Sequence, residues 1–275
     1  QARLLAGATD IGLWVNKQLR ELPELIAVDR VPELQALHER DGVLHIGAGA
    51  PLEDAWSALA VHWPVLGEAW LRFAGPPVRH AGTLGGNVAN GSPIGDAAPV
   101  LMALGAQLVL QRLDVQRTLP LAGFYTSYMT SQLQPGEFVH SLQVPLPAAG
   151  TVLRAYKISK RFDSDISALC AGLALDLDGD RIVAARLAFG GLAATVMRAA
   201  AAEAALVGQR WAEPALQAAA AALAHDFQPL SDLRASAGYR LQVAQNLLRR
   251  FWLETRPDAP LAAAQLSVFA RGEAA

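Results

Sequence analysis

The amino-acid sequence predicts a mixed fold of helices and short strands in two units, with the boundary near Ala149. Three observations carry that reading. The first half strings short apolar runs between Gly- and Pro-rich punctuation. The second half opens on two long strand-like runs, Leu169–Leu177 and Arg181–Phe189, joined by Asp178-Gly179, a dipeptide that favours a tight hairpin turn. It closes on Ala-rich and amphipathic helices.

Taken in order, Leu4-Leu5-Ala6 is an apolar run that predicts a buried strand, and Gly7-Ala8-Thr9-Asp10 turns it into a helix, Asp10–Arg20. A strand at residue 4 has no lead-in, so the expectation is a chain that starts inside a domain whose first part is missing or supplied by another polypeptide. Glu24–Asp29 and Val43–Gly47 read as strands. Pro51–His62 and Pro64–Phe73 read as helices with Pro at the first position, where its missing N–H costs nothing. Gly75–Gly95 reads as one long functional loop. Ala97–Leu104 reads as a buried helix, Ala106–Gln111 as a strand, and Phe124–Met129 and Phe138–Val144 as strands split by the turn Gln134-Pro135-Gly136. Pro145–Gly150 reads as a linker. Val152–Ile158 is a strand. Helices follow near Arg198–Leu206 and Pro214–Ala224, then Ser236–Glu254, whose Leu241, Ala244, Leu247, Leu248 and Phe251 share one face. Pro257–Ala275 reads as a tail.

Composition narrows the function. Lys plus Arg is 23 against 25 for Asp plus Glu, a net charge of −2, which argues against nucleic-acid or anionic-membrane partners. The single cysteine, Cys170, cannot form an internal disulfide, a cysteine zinc site or an iron–sulfur cluster, and its apolar strand predicts a buried, inert thiol. The histidines show no ligand spacing, so no metal site is expected. No apolar stretch is long enough to span a bilayer and no signal peptide is legible, which makes a cytoplasmic location the expectation.

Several motifs invite a ligand. Gly47-Ala48-Gly49 begins like a dinucleotide fingerprint, but the third glycine position is Leu52, so an ordinary strand–turn–helix is expected. Asp176-Leu177-Asp178-Gly179-Asp180 resembles half a calcium loop, yet no glutamate closes it, and the hairpin reading is preferred. Asn90-Gly91-Ser92-Pro93 lacks the nucleophile elbow of a serine hydrolase. Two stretches remain. In Leu4–Gly12, glycine lets the backbone turn so that free N–H groups and a helix start face one way, which suits a phosphate. In Ala81–Asp96, Gly85-Gly86 permits close backbone approach, and Thr83, Asn87, Asn90 and Ser92 add short hydrogen-bonding side chains. The loop has no lysine and is no Walker motif, so spacing alone leaves a nucleotide-type ligand and a purely structural loop both open.

With Tyr156–Arg161, Asp165-Ile166-Ser167, Gly190–Thr195 and Pro229–Ser236 added, the chain from Arg3 to Glu254 resembles the flavin subunits of the molybdenum hydroxylases, and among them the small subunit of bacterial xanthine dehydrogenase. The resemblance implies an α+β chain: a two-subdomain FAD-binding domain of the PCMH type (residues 1–149, first part missing), then a smaller domain with an antiparallel sheet and packed helices (150–256), then the tail. It implies that Leu4, Leu5, Ala6, Gly7, Ala8, Thr9, Asp10 and Ile11 wrap the FAD diphosphate and ribityl chain. Phe73 would pack near the cofactor. Thr83, Gly86, Asn87 and Asn90 would bind the diphosphate, and Asp96 a ribityl or ribose hydroxyl. Val139 would lie by the adenine and Lys157 by the flavin, with Tyr128 and Ile166 along the nicotinamide path.

The implied activity is electron output. Electrons from a purine oxidised at molybdenum on a large partner subunit reach FAD through two [2Fe–2S] clusters and leave to NAD+ within a hetero-oligomer. No side chain of this chain is expected to be catalytic. The chain carries neither the eight-cysteine [2Fe–2S] domain nor a molybdopterin domain, and Ser164 stands where mammalian members carry Asp. The alternatives are the flavin subunit of another molybdenum hydroxylase, acting on an aldehyde, CO or an N-heterocycle, or a non-catalytic assembly subunit with a degenerate FAD site.

Overall fold

Two hydrophobic cores organise the computed structural model, which describes residues 2–162 and 164–266. The chain begins with β1 (Arg3–Leu5), α1 (Thr9–Asn16) and β2 (Leu25–Ala27), and β1 and β2 pair in parallel. No residue from 2 to 33 is buried, so β1 is not the buried strand its apolar run predicts; Leu4 is 41% exposed. Helix α1 is shorter than the predicted Asp10–Arg20. It stops at Asn16, and Leu19 takes a positive φ of 52°. In place of a core, this segment has Trp14 between two guanidiniums, Arg3 at 4.7 Å and Arg20 at 5.4 Å from its ring centroid.

Next come α2 (Pro32–Gln35), β3 (Leu37–Arg40), β4 (Val43–Gly47), α3 (Leu52–His62) and α4 (Gly67–Arg72). The predicted helix Pro64–Phe73 is split, because Pro64–Leu66 forms a tight 3₁₀ turn before α4 begins. The predicted loop Gly75–Gly95 holds two short helices, α5 (Pro76–Ala81) and α6 (Leu84–Asn90). Pro at the first turn of α5 and Thr83 as cap of α6 are the local reasons: the Thr83 hydroxyl accepts from Gly86 N at 3.1 Å. Then follow α7 (Ala97–Ala103), β5 (Gln107–Arg112), β6 (Val115–Pro120), β7 (Tyr125–Ser127), β8 (Thr130–Ser131) and β9 (Phe138–Pro145). Strands β3-β4-β9-β5-β6 form one antiparallel sheet in that order, while β7 and β8 make a separate hairpin. One face of the sheet, with Leu44, Ile46, Leu108, Leu110, Leu142 and Val144, enters the first core. Strands β3 and β6, absent from the sequence reading, are its edges and carry mostly exposed polar and charged side chains, so alternation alone did not reveal them.

The second half is a four-stranded antiparallel sheet, β10 (Thr151–Ile158), β11 (Leu169–Asp178), β12 (Arg181–Gly190) and β13 (Met197–Arg198) in order. It is covered by α8 (Ala200–Leu206), α9 (Glu213–Asp226) and α10 (Ala237–Thr255). Asp178-Gly179 makes the expected hairpin, with Gly179 at φ 59°. Ser236 caps α10 by accepting from Tyr239 N at 3.2 Å. Arg198 belongs to β13, not to the predicted helix start. Of the predicted tail, α11 (Ala263–Leu266) is a short helix, and residues 267–275 lie outside the described residues.

All seven residues of α7 are buried, and the helix packs against β11 and β12. A Cβ on Gly172 would land on the Pro99 carbonyl, so helix and sheet meet backbone to backbone. Arg186 Nε closes the far end of α7 by donating to Ala103 O at 2.7 Å.

Candidate functional site

The two glycine loops singled out in the sequence are brought together. A Cβ on Gly7 would fall on the Ala81 carbonyl oxygen, and one on Gly82 would lie 3.4 Å from Thr9 Oγ1. The β1–α1 turn therefore presses directly on the entry to α6. Ala8 holds a left-handed conformation at φ 58°, and α1 starts with no side-chain cap, which leaves its first N–H groups open to an anionic ligand.

The second loop is built more firmly. Leu84 N and Gly85 N donate to Ala50 O (3.0 Å) and Ala48 O (2.9 Å), tying α6 to the β4–α3 turn. A Cβ on Gly85 would collide with Ala48, so glycine is required there for close approach. The Gly47–Leu52 motif thus serves packing: Cβ atoms on Gly47 and Gly49 would both crowd Leu34, and the ordinary strand–turn–helix reading holds. Gly86 is exposed, and Asn87 and Asn90 are half-buried. The Asn87 Oδ1 is buried without a hydrogen-bond partner. A buried acceptor left unpaired is costly, and a ligand hydroxyl or amide would satisfy it.

Asp96, at the end of this loop, lies against the second half. Its carboxylate pairs with Lys157 Nζ, and Ser167 Oγ donates to Asp96 Oδ1 at 2.6 Å. Lys157 Nζ also lies 3.1 Å from Ser167 Oγ and is 6% exposed as a residue. A carboxylate oxygen accepts more than one hydrogen bond, so Asp96 keeps acceptor capacity for a ligand hydroxyl. Gly191 N donates to Pro93 O at 2.8 Å, a second tie between the loop and the second half. The Cys170 thiol points at Asp96 O (3.6 Å), and burial pushes its pKa well up, which makes it the inert thiol expected.

The remaining sequence candidates sit around this centre or away from it. Phe73 is 6% exposed and its ring lies 5.5 Å from that of Trp56. Val139 is buried on β9, opposite Leu110. Tyr128 is 64% exposed at the tip of the β7–β8 hairpin, and Ile166 is 52% exposed. In the acidic hairpin Asp176 is held by Arg186 at 2.7 and 2.8 Å and by Thr151 at 2.8 Å, and among the described residues no group of three or more His, Cys, Asp or Glu could hold a metal ion. Two residues escaped the sequence reading. Sequence reasoning reaches Ser167 only as part of a motif and does not reach Arg72 at all. Their roles depend on partners 71 and 85 residues away.

Residues 1–147 match the family model of the FAD binding domain in molybdopterin dehydrogenase, and residues 154–255 match that of the CO dehydrogenase flavoprotein C-terminal domain. The carbon monoxide dehydrogenase medium chain of Hydrogenophaga pseudoflava is 31% identical over 251 residues, covering 90% of this chain and 87% of that one. A xanthine dehydrogenase of Emericella nidulans is 33% identical over 267 residues, 91% of this chain but 20% of that much longer protein. A solved carbon monoxide dehydrogenase from Hydrogenophaga pseudoflava superposes with a TM-score of 0.85 at 32% identity, over 90% of this chain and 87% of that one. Quinoline 2-oxidoreductase from Pseudomonas putida 86 superposes with a TM-score of 0.82 at 25% identity, over 94% and 91% of the two chains.

Proposed function

The chain belongs to the FAD-binding flavoprotein family of the molybdopterin dehydrogenases, and from that premise we propose that it is the electron-output module of a xanthine dehydrogenase-type molybdenum hydroxylase. The observation that carries the reading is the cradle itself. Two glycine turns press together, the start of α1 is uncapped, and Asn87 Oδ1 is a buried acceptor without a partner.

In this reading residues 1–149 form the FAD-binding domain and 150–256 the smaller domain behind it. The backbone from Leu4 to Ile11 and the loop residues Thr83, Gly86, Asn87 and Asn90 bind the diphosphate. Asp96 accepts from a ribityl or ribose hydroxyl, and Lys157, neutralised by Asp96, borders the flavin. Phe73 and Val139 supply apolar walls that exclude water. FAD, when bound, supplies the link between one-electron delivery and hydride transfer, and the protein binds and orients it. Tyr128 and Ile166, both exposed, border the approach of NAD+. Electrons would arrive from [2Fe–2S] clusters and a molybdopterin centre on partner chains of a cytoplasmic hetero-oligomer; no helix among the described residues is long and apolar enough to cross a membrane.

The complex purified with its native partners tests this. The expected result is flavin and iron–sulfur absorption together, with xanthine reducing NAD+ only when this chain is present. A flavin-free native complex overturns the reading. The extensive likeness to carbon monoxide dehydrogenase medium chains favours a second reading, a flavin subunit serving another molybdenum hydroxylase. The substrate oxidised by the co-purified molybdenum subunit separates the two.

A further inference from the structure

Arg72 ends α4 in the first half, yet its hydrogen bonds go to the second. Its side chain is 15% exposed. Nη1 donates to Lys157 O at 2.9 Å, Nε to Phe162 O at 3.0 Å, and Nη2 to Ser159 Oγ at 3.3 Å. Its Cζ lies 5.2 Å from the centroid of the Phe162 ring, and Glu68 Oε1 sits 3.6 Å from Nη1. One guanidinium thus grips three points between residues 157 and 162, where the chain leaves β10. The β10–β11 ladder holds Lys157 opposite Cys170, Ala168 N donates to Ile158 O at 2.8 Å at the base of the excursion, and beyond Lys157 the chain is tied by Arg161 N to Asp165 Oδ2 at 2.8 Å and by Lys160 Nζ to Leu233 O at 2.8 Å.

We propose that Arg72 is a positioning residue for the Lys157–Asp96 pair, setting the main chain of Lys157 so that its ammonium reaches Asp96 and Ser167. The inference rests on the reading above that Asp96 and Lys157 line the FAD site. Three acceptors are taken by three different nitrogens, one of them on the residue that carries the ammonium. A planar fork of donors serves them together; a lysine, with one compact charge, cannot. A strut that only joined the two halves would need no connection to Lys157, and its loss would leave FAD affinity unchanged.

The test uses the full chain and three variants, Arg72→Ala, Arg72→Lys and Asp96→Asn. FAD affinity is read by flavin fluorescence, and amide exchange is followed in peptides covering 157–162. Arg72→Ala is expected to raise both the FAD Kd and the exchange rate by about 10-fold, the order expected for lost charge-assisted hydrogen bonds. Added ethylguanidinium should restore much of both. Arg72→Lys should fall between, and it decides the question by the same two readouts if the alanine variant does not fold. Faster exchange in both Arg72 variants with unchanged FAD Kd, while Asp96→Asn loses FAD, overturns the positioning role and leaves the site intact. Unchanged FAD Kd in Asp96→Asn overturns the site reading and this inference with it.

Discussion

The two loops that meet at the candidate FAD site are made in opposite ways. The β1–α1 turn belongs to a segment in which nothing from residue 2 to 33 is buried, held by a parallel strand pair and by arginines stacked on Trp14. The α6 loop is capped by Thr83, laid on the β4–α3 turn, and bolted to the second half through Asp96 and Pro93. The difference separates preorganisation from recruitment. The α6 loop holds its shape on its own packing. The β1–α1 turn gains order from whatever it grips, so ligand binding there should stabilise it by mass action.

Perturbing each side in turn exposes that asymmetry. The largest effect is expected for Asp96→Ala, which leaves the Lys157 ammonium buried without its carboxylate and should cost about 3–5 kcal/mol in urea unfolding. Next, Gly85→Ala drives a methyl into Ala48 and should lose about 1–3 kcal/mol along with FAD. Gly7→Ala is equally crowded, but its neighbour segment can shift, so FAD affinity should fall with little change in unfolding midpoint. Equal losses from the two glycines would erase the distinction. Thr83→Ala removes the cap of α6 at about 1 kcal/mol, while Ala8, already uncapped, offers no such loss.

The last effect appears only on acidification. Glu137 accepts from Arg117 at 2.7 Å twice and from Gln134 N at 2.8 Å, and these bonds pull its pKa from 4.5 to about 2. A carboxyl depressed on folding stabilises the protein above its unfolded value and loses that contribution as pH falls from about 4.5 toward about 2. Melting temperatures of the parent and Glu137→Gln should therefore converge across that window. A constant gap down to the lower end would disprove the linkage. The pair joins β6 to the turn before β9, so the loss should leave exchange in residues 3–27 unmoved.

Elements fixed by local chemistry were legible in the sequence. The β11–β12 hairpin follows from Asp178-Gly179, and α10 from its apolar stripe and Ser236. What the sequence hid depends on distant partners or on context. Helices α5 and α6 lie in a Gly-, Pro- and Asn-rich stretch whose composition reads as loop, and tertiary contacts to Ala48 and Ala50 override that weak propensity. The run at Leu4 looks buried because apolarity is visible and its neighbours are not. The Asp96–Lys157–Ser167 group and its Arg72 brace span the two halves, and no spacing rule reaches that far.

Helix α7 sits between the two halves with every residue buried, and Gly172 lets its Pro99 carbonyl approach β11. The seam that chain order suggests near residue 149 is therefore a poor place to cut. A chimera that grafts a foreign second half onto residues 1–149 must also find a glycine opposite Pro99 and an arginine to close Ala103, or it will strip an apolar helix bare. Recombination between relatives should succeed where the crossover carries α7 and β11 together, so these two elements should be exchanged as one unit across the boundary that the chain order suggests.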